Sequence, residues 1–255
     1  MKKSLFVLAA GLMATTSAFA MDVSNPFYVP MKGDFLSETA FDYDNYDHGN
    51  LEVTSLSERV SYGITRNFSA HVSGTDFHLH DVPGVTGHDR YDNPAWNVGV
   101  KYNLVDCCKT NWKVQLGADY DQGYLANHQK KDISAYVKAG YQVKNFLPYA
   151  QVTVDKPIGR YEKEPDYTGR IALNTAFSKK VNLDTGVSYM WDYSTNSIRE
   201  TTGKHKHASE WSVDAGLNYV FSDCMSVGLT GKYVLDAKPN NYDHYTVGAN
   251  FKVAF

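Results

Sequence analysis

The stretch Trp211-Ser212-Val213-Asp214-Ala215-Gly216-Leu217-Asn218-Tyr219-Val220-Phe221 is apolar or aromatic at every odd position, while Ser212, Asp214, Gly216 and Asn218 hold the even ones as far as 218. Successive side chains of a β-strand point to opposite faces, so this stretch has one oily face and one wet face. A helix would need apolar residues three and four apart, and no stretch after Met21 sustains that period. The same alternation runs through Trp96–Leu104, Trp112–Tyr120, Ile133–Val143, Val181–Tyr193 and Tyr245–Phe255, with Thr185 the lone polar residue on the oily parity.

Weaker copies fill the intervals. Strands are expected near 34–44, 50–63, 68–79, 95–105, 111–121, 132–143, 148–155, 167–178, 181–193, 210–221, 226–236 and 244–255. Short connections at 65–67, 106–110, 144–146, 179–180 and 222–225 mostly alternate with longer ones at 80–94, 122–131, 156–166 and 194–209. Such alternation predicts an all-β, closed, antiparallel up-and-down transmembrane barrel of about twelve strands, with tight turns on one rim and long loops on the other. Ten strands is the alternative if 34–63 or 148–178 pairs differently.

The composition agrees. Hydrophobic residues make up 43% of the 255-residue chain, yet its mean hydropathy is −0.42. Alternation resolves that tension, because each apolar position has a polar neighbour. Past the N-terminus there is no run long enough for a membrane helix. A formal charge of −3 is too balanced for a nucleic-acid binder.

Met1-Lys2-Lys3, the apolar run Leu5–Met13 and the small residues of Ala18-Phe19-Ala20 have the three regions of a secretory signal peptide, expected over 1–20. Residues 21–33 then form an N-terminal segment in which Pro26 and Pro30 discourage strand pairing, and 34–255 form the barrel. The segment could hang in the periplasm or fold into the barrel mouth. A loosely held periplasmic tail is the expected arrangement, as for most chain termini.

A soluble sandwich would alternate in the same way. Three features turn the oily face outward instead. Aromatics bracket small aliphatics along the stripes, about eight residues apart, which spans roughly 20 Å in a tilted strand, close to the apolar band of a membrane barrel. Trp96, Trp112, Trp191 and Trp211 fall near strand ends on that parity, as an aromatic girdle requires. Gly99, Gly117, Gly140, Gly186, Gly216, Gly228 and Gly248 stand on the wet parity, where they suit tight curvature and a crowded lumen. The chain also finishes on the alternating strand Tyr245-x-Val247-x-Ala249-x-Phe251-x-Val253-x-Phe255.

Together with the leader, that ending resembles the C-terminal signature of Gram-negative outer-membrane β-barrel proteins of porin-like type. The resemblance implies the bacterial outer membrane as location and Phe255 as a signal for the barrel-assembly machinery. It also implies outer-membrane lipid and lipopolysaccharide as surroundings.

The wet parity places Arg59, Lys101, Lys113, Lys138, Arg170, Lys232 and Lys252 inward, with Glu38, Asp42, Asp119, Asp155, Asp184, Asp192 and Asp214. A twelve-stranded barrel lies between side-chain-filled barrels of eight strands and open channels of sixteen. The expected function is therefore a narrow passive pore for small polar solutes, with weak ion selectivity if the charges balance. The alternative is that these charges pair across the lumen and leave a structural or surface-exposed protein.

Barrel lipid hydrolases and proteases are the remote alternative. His71-Val72-Ser73 puts a base and a hydroxyl on one face, but no orienting acid is evident beside it. Asp47-His48 and Asp243-His244 are adjacent pairs whose side chains diverge on a strand. No enzyme, cofactor or metal site is expected. Histidines 48, 78, 80, 88, 128, 205, 207 and 244 fall in or beside the longer loops, and His78-x-His80 and His205-x-His207 show no third ligand at a fixed spacing. Cys107, Cys108 and Cys224 lie in turns on opposite sides of the expected barrel, too far apart for Cys224 to have an intrachain partner.

Overall fold

The computed structural model describes residues 23–46, 51–80, 95–105, 110–125, 128–158, 165–192, 208–238 and 244–255. The signal peptide, Cys107, Cys108 and histidines 48, 88, 205 and 207 lie outside them. Twelve strands follow one another: β1 Phe35–Tyr46, β2 Leu51–Gly63, β3 Phe68–His80, β4 Ala95–Asn103, β5 Trp112–Leu125 and β6 His128–Tyr141. Then come β7 Phe146–Pro157, β8 Asp166–Ala176, β9 Val181–Asp192, β10 Ala208–Ser222, β11 Met225–Lys238 and β12 His244–Ala254. Each pairs antiparallel with its neighbours, and β1 pairs with β12 to close the barrel. Closure removes the sheet edges that would otherwise be left unpaired.

Register follows the pleat. Ile171, Trp112, Val72, Leu217 and Leu229 are exposed on the outer surface, while Gln115, Asn103, Lys113 and Ser226 are buried inside. The four tryptophans stand on the outside. Trp96 packs its ring 5.3 Å from Tyr120, Trp112 lies 4.9 Å from Tyr141, and Trp211 lies 4.6 Å from Tyr189. Phe255 stacks on Phe35, and its backbone exchanges hydrogen bonds of 2.7 and 2.9 Å with that residue, tying the chain end to the first strand.

One expected loop is shorter than its residues suggested. The connection expected over 122–131 is largely strand, because β5 runs on to Leu125 and β6 starts at His128. Just past Tyr120, Asp121, Gln122, Lys130, Lys131 and Asp132 make both faces polar, so the two-residue contrast disappears although the backbone ladder continues.

The expectation of a loosely held N-terminal tail needs correction. Val23, Phe27, Val29 and Pro30 are buried, Phe27 completely, inside the end of the barrel that carries the short turns. The segment leaves through a turn at Gly33, whose φ of 90° favours glycine, and Gly33 N–H donates to the Gly63 carbonyl at 2.8 Å. A Cβ on Gly63 would collide with the Met31 carbonyl, so this glycine lets the segment pass against the barrel wall.

Candidate functional site

Three strands hold the plug through its backbone, which has no ladder partner of its own, and a fourth holds it through a side chain. Asn103 on β4 and Gln115 on β5 donate to the Phe27 carbonyl at 3.2 and 3.3 Å. Lys138 on β6 donates to the Pro26 carbonyl at 3.0 Å, and Asn182 on β9 bonds the Ser24 hydroxyl. The Phe27 ring packs edge-on against Tyr149 of β7 at 5.7 Å, and the Lys138 ammonium stands 5.5 Å over its face.

Beyond the plug several carboxylates are committed to partners. Arg170 on β8 donates through Nε to Asp214 at 3.0 Å and through Nη2 to Asp184 at 2.6 Å; it also bonds the Tyr149 hydroxyl. Tyr149 in turn donates to Asp184 at 2.9 Å. Asp214 stands on β10, two strands from Arg170, and the guanidinium reaches it over Gly186, where a Cβ would clash with its nitrogens.

The same device joins His71 on β3 to Asp119 on β5. Gly99 of β4 lies between them in one cross-strand row, and His71 Nε2 bonds Asp119 at 2.6 Å. A Cβ at Gly99 would run into both side chains. Glu38 pairs with Lys252 at 3.0 Å, Lys232 with Glu210 at 3.0 Å, and His244 with Asp44 at 3.4 Å.

Arg59, Lys101 and Lys138 are treated differently. They line a cavity of about 350 Å³ with Asn97, Asp119, Asp121, Ser134, Tyr136 and Gln151. Asp119 is held by His71 and Asp121 by Asn97 at 2.7 Å. Among the described residues Arg59 and Lys101 carry no ion pair, Lys138 bonds only the plug carbonyl, and Arg59 Nε is buried without a partner. The cavity wall is therefore cationic, although the residues chosen by parity are equal in number.

Of the remaining residues, Lys113 is buried and donates to the Thr110 carbonyl at 3.3 Å near the short turns, away from the cavity. Asp42 sits beside Gly248. Asp155 lies on β7 opposite Ser134, and Asp192 closes β9, its side chain outside the described residues. The sequence reading left out Tyr136 and Tyr149. Both are aromatics on the wet parity, an exception to the alternation that marks them. It also found no acid for His71, since Asp119 is 48 residues away and reaches it only across Gly99. Ser73 makes no hydrogen bond to His71, so His71 and Asp119 do not activate a hydroxyl here.

No protein-family model matches the chain, and no characterised protein matches it in sequence. Solved structures do match its fold. The COG4313 outer membrane channel from Pseudomonas putida F1 is 9% identical at a TM-score of 0.66, covering 90% of this chain and 98% of its own. The NanC porin is 12% identical at 0.52, over 84% of this chain and 98% of its own. The β domain of the Bordetella autotransporter BrkA is 11% identical at 0.54, over 88% of this chain and all of its own. The fold is that of outer-membrane barrels. Channels and autotransporters share it, so the function rests on the interior.

Proposed function

We propose that the chain is a narrow passive pore of the bacterial outer membrane that favours small anions. The observation that carries this is the unequal pairing inside. Glu38 pairs with Lys252, and Asp184 and Asp214 share Arg170, whereas Arg59, Lys101 and Lys138 outnumber Asp119 and Asp121 around one cavity. A preference for anions departs from the weak selectivity that balanced charge alone predicts, because selectivity follows the field in the narrow section. A low-dielectric wall with fixed positive charge concentrates anions and excludes cations of the same size.

Residues 23–30 lie in series with the cavity and narrow the pore at the short-turn end, assigned to the periplasm. The likeness to a channel and a porin supports the reading without specifying a solute. Single-channel recording on the refolded mature chain tests the proposal. Discrete steps that grow when residues 23–31 are deleted are expected, and silence from both forms would leave a structural barrel instead.

A further inference from the structure

Two buried polar atoms of the residues that line the cavity have no hydrogen-bond partner among the described residues, and they are of opposite kind. Arg59 Nε has a hydrogen to donate, and Asn97 Oδ1 can only accept. The buried Asn97 amide is not free to turn over. Its Nδ2 donates to Asp121 at 2.7 Å and to Asp119 at 3.3 Å, and ionised carboxylates only accept, so Oδ1 is held away from them. Register sets these residues in one cross-strand row. Arg59 of β2 pairs with Ser73 of β3, Ser73 with Asn97 of β4, and Asn97 with Asp121 of β5.

A solute group that enters this row has to accept from Arg59 and donate to Asn97 and Asp121. A hydroxyl does both. Chloride or a carboxylate meets Arg59 but faces Asp121 with like charge, and an ammonium meets the acceptors but faces Arg59. Water can fill the row, and a solute hydroxyl displaces it without losing its hydrogen bonds, whereas the other groups displace it at a loss. The plug end of the cavity differs. Lys101 pairs with Gly117 and Lys138 with Gln115, two and four residues nearer the short turns than Asp119. Lys101 has no bonded partner among the described residues, and Lys138 gives one of its three hydrogens to the Pro26 carbonyl. This end therefore offers donors and positive charge.

We infer that the cavity binds a small carboxylic acid bearing hydroxyl groups, its carboxylate on Lys101 and Lys138 beside the plug and a hydroxyl in the row of Arg59, Asn97 and Asp121. The formal charges agree, since three cations and two carboxylates on the wall leave one positive charge for one carboxylate to neutralise. At about 350 Å³ the cavity has the size of a small-molecule site.

This site deepens the pore reading and rests on it for its cavity, but equilibrium binding measures it apart from conductance. Calorimetric titration of the refolded mature chain in detergent micelles uses gluconate, butyrate and sorbitol, each corrected for micelles alone. Gluconate is expected to bind at a single site. Butyrate, which lacks the hydroxyls, and sorbitol, which lacks the carboxylate, are each expected to bind about tenfold more weakly or worse, as for loss of charge-assisted hydrogen bonds. Asn97→Leu is expected to weaken gluconate about tenfold, in a barrel whose folding is checked by its heat-dependent shift in electrophoretic mobility. Butyrate or sorbitol binding as tightly as gluconate, no gluconate binding at millimolar concentrations, or unchanged affinity in folded Asn97→Leu would overturn the inference. Single-channel recording separates the site from the pore. A chain that prefers gluconate but passes no anion current keeps the site and loses the pore, whereas anion-selective steps without gluconate binding keep the pore and lose the site.

Discussion

Arg170 illustrates how the interior is stabilised one residue at a time. Its guanidinium answers two carboxylates and a phenol, so Arg170→Ala leaves Asp184 and Asp214 facing each other with no counter-charge. Breaking a buried pair in this way costs roughly 3 kcal/mol or more. A clear fall in the urea midpoint of the refolded barrel is expected, and an unchanged midpoint would mean that water already screens the pair. Cys224 gives a prediction in pH. It is a free thiol in the short turn before β11, and burial, with Asp223 and Asp34 nearby, raises it above the ordinary thiol range. The thiolate is the reactive form, so maleimide labelling of Cys224 should be slow at neutral pH and accelerate as pH rises beyond that range. Labelling as fast as a free thiol at pH 7 would contradict this. Parity groups charged residues by face but does not pair them. His71 with Asp119, and Arg170 with Asp214, meet across an intervening strand at a glycine, and single-strand alternation carries no information about the next strand but one.

Elements were legible wherever one face met an apolar phase, and less so where both were wet. The period of two marked twelve strands because lipid-facing residues must be apolar on every strand. Where β5 and β6 continue past Tyr120 and Ile133, that demand lapses and the pattern with it. The N-terminal segment was misjudged for a related reason. Val23, Phe27 and Val29 show no strand or helix period, and their hydrophobicity acquires meaning only from the barrel around them. The plug's place in the pore predicts that Phe27→Ala, which removes a ring contributing about 3 kcal/mol of packing, will raise single-channel conductance and its noise. Behaviour identical to the unmodified chain would mean that ions pass elsewhere.

For the whole molecule, a closed twelve-stranded wall with an apolar exterior leaves a lumen too wide for side chains from one layer to fill and too narrow to stay open unaided. This chain occupies part of it with its own N-terminus and cross-linked ion pairs, leaving a cationic cavity. A pore for anions is the claim that follows, and a reversal potential measures it most directly. Across a planar bilayer with a potassium chloride gradient, the refolded mature chain is expected to give a reversal potential of the sign for chloride preference. Replacing Arg59, Lys101 and Lys138 together with glutamine should move it toward zero. Cation preference, or a potential unmoved by the triple replacement, would contradict the account.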